Sequence, residues 1–520
     1  MSKQELKLTA AELDKALAIL KKQGCSDFFP PAFEIETVEY SWGKVRPVLE
    51  NVELLCYSPH PAPKMIAPRQ RYTTRAIKLI DPIDALLATA LCLRIIPALR
   101  TARASLSKKC VYSCQFDASL ADQLFDFSAD YVAFKKELNR TLANKQYVAS
   151  ADINDFYPRI YLHRLENGLD TILGAGNLET RCAMRFIEAW AEGTSYGIPV
   201  GPHFAHVLAE ATLHEVDSYL LSCGVPFIRY MDDFYLFGDS EADCLRGLYM
   251  LGSRLQDTQG LSLNSTKTRV WQSQQLKNRL SLEDRPDAQL RKEIIEKVFG
   301  DNPYAEVEYD KLTSNQKELL AKCDIAGIMK SALDEESLTD FSSVKFILLV
   351  LTAINRPELT EIVLDNLPRL YPVAPSVARF LGVFDSVESQ ERSRIGGRLL
   401  DFIANSGFVP EFQIIWLLNP FVQSRAWNNL DALRRIASNH PHRLVRRQAI
   451  LAIGQSADRS AILDAKVRVG ETTDWEQRAI IYACRNLPRD EKDAFFQSLA
   501  ITKEWKLDGL LLRCVSEKCK

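Results

Sequence analysis

The clearest apolar and polar patterning in the chain lies at Phe227-Ile228-Arg229-Tyr230-Met231-Asp232-Asp233-Phe234-Tyr235-Leu236-Phe237. Aromatic and aliphatic arms flank two adjacent acids, which predicts a strand, a tight turn and a second strand. Residues Tyr147 to Ile160 predict another strand, ending in Asp152, then an aromatic turn closed by Pro158. Gly197-Ile198-Pro199-Val200-Gly201-Pro202 predicts a stiff loop leading into a helix from His203 to Ser218. After the acid pair, Glu241 to Gln256 reads as helix, and Leu261 to Val270 as a loop entering a strand. Towards the N-terminus, Leu6 to Gln23 predicts an amphipathic helix with Leu6, Leu8, Leu13, Leu17 and Leu20 near one face, ended by Gly24. Asp81-Pro82-Ile83-Asp84 opens a further helix, with Pro82 suited to its first turn. From Thr313 onwards strand patterns disappear and helical patterns follow one another, cut by prolines. Val445–Gly454 is echoed at Glu476–Cys484, about 30 residues later, which reads either as an α-repeat of HEAT type or as an irregular helical domain.

A chain of 520 residues is too long for one ordinary core, so two or three domains are expected. The boundaries read as an N-terminal helical arm at 1–60, a mixed domain at 61–275, a charged connector at 276–312 and a helical domain at 313–520. Net charge is −2, so any nucleic-acid site must be a local basic patch. Two clusters offer one: Lys64, Arg69, Arg71 and Arg75, then Arg100, Arg103, Lys108 and Lys109. They read either as solvated edges or as a clamp for phosphates, whose oxygens Arg forks match in pairs. The cysteines form no CxxC pair and read as small buried hydrophobes in a reducing compartment. The N-terminus shows no signal peptide, and the longest apolar run is placed at Phe346 to Leu351, too short to span a membrane. A cytoplasmic protein without membrane contact is expected.

The acids change the picture most. Adjacent carboxylates repel, and a divalent cation reverses that penalty because carboxylate oxygens are the ligands Mg²⁺ takes. Asp152, Asp232 and Asp233 all fall at predicted strand ends, and two strands side by side would bring them together. Two Mg²⁺ ions there, or Mn²⁺ in their place, would activate a 3′ hydroxyl and stabilise a leaving pyrophosphate, which is the chemistry of nucleotidyl transfer. Asp155 reads as a turn cap or a further ligand, and Tyr157 as a ring beside the bound substrate. Lys267 reads as a surface lysine or as an ammonium near a leaving phosphate. His203, His206 and His214 share the helix after the glycine loop but lack the HExxH pattern of a zinc site.

The ordered set Asp152-Ile153-x-x-Phe156-Tyr157, Gly197-Ile198-Pro199-x-Gly201-Pro202, Tyr230-Met231-Asp232-Asp233 and Leu263-Asn264-x-x-Lys267-Thr268 resembles the palm of a reverse transcriptase. The resemblance implies an α+β fold class: polymerase fingers and palm, followed by an all-α HEAT-like helical-repeat domain. It implies metal binding at Asp152, Ile153, Asp232 and Asp233. It makes Lys267 the candidate general acid and Tyr157 the gate against a ribose 2′ hydroxyl. Nucleotide contacts are implied at Lys64, Arg69, Arg71, Arg75, Asn154, Asp155, Phe156, Tyr157, Pro199, Val200, Gly201, Tyr230 and Met231. Val200 departs from the Gln of retroviral enzymes, and neither a retron signature nor an RNase H or integrase pattern is seen. A helical half in place of a thumb is similar to bacterial abortive-infection reverse transcriptases, the AbiK and P2-prophage type. That likeness implies phage defence, untemplated DNA synthesis from dNTPs, DNA primed on and attached to a protein tyrosine, and a homo-oligomer, trimer or hexamer. Tyr40, in the N-terminal arm, is the guess for the priming residue. Two alternatives stand beside it: templated copying of a dedicated RNA, and a helical scaffold with a nucleotide-sensing palm.

Overall fold

The computed structural model describes residues 5–70, 72–105, 110–116, 120–280, 294, 297–298, 311–321, 324–333, 341–353, 359–382, 389–425, 427, 429–499 and 504–519. Two compact units divide the chain. Met1–Asp27, Arg46–Lys64 and Lys78–Gln289 form the first; Phe28–Val45, Met65–Ile77 and Leu290–Lys520 form the second. The backbone therefore passes from one unit to the other repeatedly rather than once.

The strands are β1 (Lys64–Gln70), β2 (Thr73–Lys78), β3 (Tyr147–Asp152), β4 (Phe227–Tyr230), β5 (Asp233–Gly238) and β6 (Arg269–Gln272). β1 and β2 pair with each other, and the other four form a sheet in the order β4-β5-β3-β6. Its pairings are antiparallel. β3 is an inner strand, and its side chains alternate as a strand buried on both faces requires. Val148 joins Tyr112, Phe134, Leu138, Leu142, Ile228, Phe237 and Leu276 in a core on one face. Ala149 and Ala151 point the other way, and the helix Glu241–Arg254 packs over β3 and β5. A Cβ on Gly247 of that helix would stand 3.2 Å from Leu236 and 3.3 Å from Val225, so only hydrogen lets the helix settle this close.

Several local expectations are modified. The first helix spans Ala10–Gln23, opened by Thr9, whose hydroxyl and Glu12 form a capping box. Leu6 and Leu8 are buried outside it, in chain without regular secondary structure, so their spacing reflects packing rather than helical turns. Among the described residues, the stretch Pro82–Arg103 is long and apolar enough by length and composition to cross a membrane; its most apolar window has mean hydropathy 1.7 and is 72% buried inside the fold, as in a core helix.

Among the described residues the second unit is helical apart from the β1–β2 hairpin. Alternate helices pack in a row: Phe341–Ala353, Ala374–Gly382, Glu411–Gln423, Arg443–Ser456, Asp474–Ala483 and Leu510–Cys519. The echoed segments fall on the neighbours Arg443–Ser456 and Asp474–Ala483, joined by a fork from Arg446 to Glu476 at 2.6 and 3.1 Å. The helix Phe33–Tyr40 closes the row against Leu510–Cys519. Its Glu34 is fully buried and accepts from Arg447 at 2.8 Å, while Phe33 stacks on Tyr482.

Candidate active site

Tyr230 stands opposite Asp233 across β4 and β5, which leaves Met231-Asp232 as a two-residue turn. Met231 has φ +54°, the left-handed region that a hairpin of this length demands and that side chains rarely adopt. On the other edge of β5, Asp233 stands opposite Asp152 at the end of β3. The Ile153 N–H donates to the Asp232 carbonyl at 3.3 Å, tying the strand end to the turn. Three acids remote in sequence thus meet at one end of the sheet. Asp152 is buried at 4% exposure and Asp233 is exposed. Although Asp233 still meets solvent, the protein atoms crowding its carboxyl raise its pKa, first by loss of hydration and then by the charges of Asp232 and Asp152, against the Lys267 ammonium.

The segment after Leu261 wraps Asp152. Asn264 donates from its main chain to the Asp152 carbonyl at 2.7 Å and from its side chain to Oδ2 at 3.3 Å. Its Oδ1 accepts from the Thr266 N–H at 3.1 Å and hydroxyl at 2.8 Å, a turn that carries Lys267 back to the acids. Lys267 Nζ reaches Asp152 Oδ1 at 2.8 Å. Carboxylate oxygens, partly neutralised by one ammonium, are the donor type a hard divalent cation takes. Asp152, Asp232 and Asp233 would hold it.

Tyr157 follows on the short helix Phe156–Arg159. Its Oη lies 2.5 Å from His206 Nδ1, and burial raises the Tyr157 hydroxyl far above its usual range. Burial, then the neighbouring His203, lowers His206 to about 4, so the imidazole is neutral. Asp155 does not cap this helix with its side chain. It is left-handed, with φ +47°, and its main-chain oxygen accepts from Arg159 at 3.0 Å. Asn154 is exposed, and its N–H donates to Ser262 at 2.8 Å. The glycine loop docks on the same turn: Ile198 N–H donates to the Tyr157 carbonyl at 3.0 Å and Gly197 N–H to Ile160 at 2.8 Å. A Cβ on Gly197 (φ +96°) would stand 3.2 Å from the Pro158 carbonyl oxygen. Pro199, Val200 and Gly201 continue this loop into the helix His203–Ser222.

The basic clusters are placed differently. Arg69 and Arg75 are counted with the second unit, where the Arg75 guanidinium lies 5.5 Å over the Phe28 ring; Lys64 is exposed at the start of β1. Arg71, Lys108 and Lys109 lie outside the described residues. Arg103 turns inward, donating to the Ser113 and Cys114 carbonyls at 2.7 and 2.8 Å, because Glu210 and these main-chain oxygens need a buried donor. Tyr40 belongs to the second unit and is 65% exposed at the end of its helix.

Sequence reasoning gave no role to Asn264 or Arg229 and weighed His206 only as a zinc ligand. Arg229 is fully buried, and its charge survives burial because Asp217 and Glu210 flank it. The available signal was an arginine inside an apolar strand, together with Glu210 and Asp217 seven residues apart on one helix face.

Comparisons with known proteins follow this geometry. Residues 94–281, which hold β3 to β6, match the family model described as reverse transcriptase (RNA-dependent DNA polymerase). Telomerase from Candida albicans, solved with a fragment of telomeric RNA, aligns at TM-score 0.33 and 10% identity, over 68% of this chain and 65% of that one. Apo telomerase from Candida tropicalis aligns at TM-score 0.30 and 12% identity, over 73% and 72%. The chain thus spans 65% of the length of the C. albicans protein. No curated protein matches the chain. With the family model lying over the very strands that gather the acids, the chain carries a reverse transcriptase domain.

Proposed function

We propose that this protein is a DNA nucleotidyltransferase of the reverse transcriptase type, adding dNTPs at the carboxylate cluster. The observation that carries the reading is the register that sets Asp152 opposite Asp233, with Asp232 in the adjoining turn. Two Mg²⁺ ions, when bound, would activate the attacking 3′ hydroxyl and neutralise the leaving pyrophosphate. Lys267 holds a proton at Nζ for the leaving phosphate, and Asn264 sets the turn that delivers it. Tyr157, held by His206, blocks a ribose 2′ hydroxyl. Nucleotide contacts in the first unit come from Lys64, Asn154, the Pro199–Gly201 loop and the Tyr230-Met231 edge of the hairpin. Magnesium-dependent dNTP incorporation tests this, and Asp232→Ala with Asp233→Ala should abolish it. Incorporation at the wild-type rate in that double variant would remove the proposal.

Untemplated, tyrosine-primed synthesis by a cytoplasmic homo-oligomer in abortive-infection phage defence is what the resemblance to abortive-infection reverse transcriptases implies, a palm motif set followed by a helical half read as HEAT-like. Templated copying of a dedicated RNA is favoured by a different observation, the RNA-dependent character of the matched family model. Sequencing the product separates the two: a defined copy supports a template, and biased random sequence supports its absence.

A further inference from the structure

We infer that Arg229 is a positioning residue for the acid-bearing turn: anchored on the helix His203–Ser222, it holds the Met231 carbonyl and so fixes where Asp232 and Asp233 stand. The inference rests on the proposed metal-dependent reading of those acids. Arg229 Nε and NH2 donate to the two Asp217 oxygens at 2.7 and 2.6 Å. NH1 and NH2 donate to the two Glu210 oxygens at 3.1 and 2.8 Å. The remaining bond, from NH1, goes to the Met231 carbonyl at 3.0 Å. These bonds use every guanidinium N–H, so the geometry has no slack.

The main chain of Arg229 is gripped as firmly. Its N–H donates to the Cys110 carbonyl at 2.7 Å, and its carbonyl accepts from Tyr112 at 3.0 Å. Glu210 is itself held by the Ser113 hydroxyl at 2.8 Å, and Cys114 Sγ donates to Met231 Sδ at 3.7 Å. The turn is therefore fastened through both the carbonyl and the side chain of its one left-handed residue, immediately before the Asp pair. The bond to the Met231 carbonyl is what ties the buried ion pair to the turn. Lysine keeps the charge but offers three donors on one atom, so it cannot make two forks and the carbonyl bond together.

The test compares full-length wild type with R229K, following Mn²⁺ binding by electron paramagnetic resonance alongside dNTP turnover against Mg²⁺ concentration. Loss of an outer partner of metal ligands weakens affinity about 10- to 100-fold. We expect R229K to raise the half-saturating Mn²⁺ and Mg²⁺ concentrations by about tenfold or more while circular dichroism stays native. Unchanged metal concentrations in a folded R229K would overturn the inference. Should R229K not fold, the neutral triple R229M/E210Q/D217N strands no charge at this site and carries the same readout; wild-type metal affinity in it overturns the inference equally. Wild type that binds Mn²⁺ yet transfers no nucleotide would remove the proposed function instead, leaving the effect of Arg229 on metal affinity to stand or fall separately.

Discussion

At the scale of single residues, buried charge governs this domain. Asp130 is 5% exposed and accepts from the Gln115 N–H at 2.8 Å. Burial pushes its carboxyl from 3.8 up to about 7. A folded-state value above the unfolded one means that the folded state binds more protons, so this group's contribution is fully present below about pH 4 and is lost as pH rises through about 7. Asp130→Asn should therefore flatten the fall in stability over that window, gaining at most about 4 kcal/mol above pH 8, read by denaturant titration at several pH values. Tyr157→Ala should narrow the preference for dNTPs over rNTPs by about tenfold to 100-fold, measured as the ratio of kcat/KM values; an unchanged ratio would separate Tyr157 from sugar selection. The acids were legible in the sequence because charges set between apolar arms stand out. Arg229 and Arg103 were not, since a letter in the chain does not say whether its charge faces water. Arg103 reads as part of a basic cluster, yet its guanidinium serves the interior.

At the scale of elements, the loop after Leu261 matters as much as the strands. Asn264 binds both the Asp152 carboxylate and the Thr266 turn, so Asn264→Ala should release Lys267 from Asp152. Turnover should fall about 10- to 100-fold, with a stability loss of about 1–2 kcal/mol. A full loss of the folded baseline would instead mark the loop as structural. In the second unit, a Cβ on Gly454 would stand 2.7 Å from Ala483 Cα. Gly454→Leu should therefore cost about 1–3 kcal/mol by overpacking, visible as a lowered melting temperature. The hairpin and the β3 strand end were readable from β-branched and aromatic residues running up to an acid. The start of the first helix was not, because Leu6 and Leu8 are buried by tertiary packing while their backbone is not helical. Asp155 takes the N-cap position of the short helix with a left-handed backbone, its carbonyl accepting from the Arg159 N–H.

At the scale of the whole molecule, a net charge of −2 leaves no general attraction for nucleic acid, so binding must be local. If synthesis is primed on the protein, intact mass should fall after nuclease treatment, and tryptic mapping should find a modified tyrosine, with Tyr40 the first to inspect. A mass unchanged by nuclease would dismiss the attached product. The passage of the chain from unit to unit was not legible, because the segments 28–45 and 65–77 carry no compositional mark that assigns them to distant helices. Its consequence reaches protein synthesis. Glu34 finds its partner Arg447 only 413 residues later. At ribosomal speeds of about 5–20 residues per second, that acid waits roughly 20–80 s for the guanidinium that lets it go inside. The helical unit thus cannot close from its beginning; the segment that carries Glu34 has no guanidinium partner at this position until Arg447 has been made.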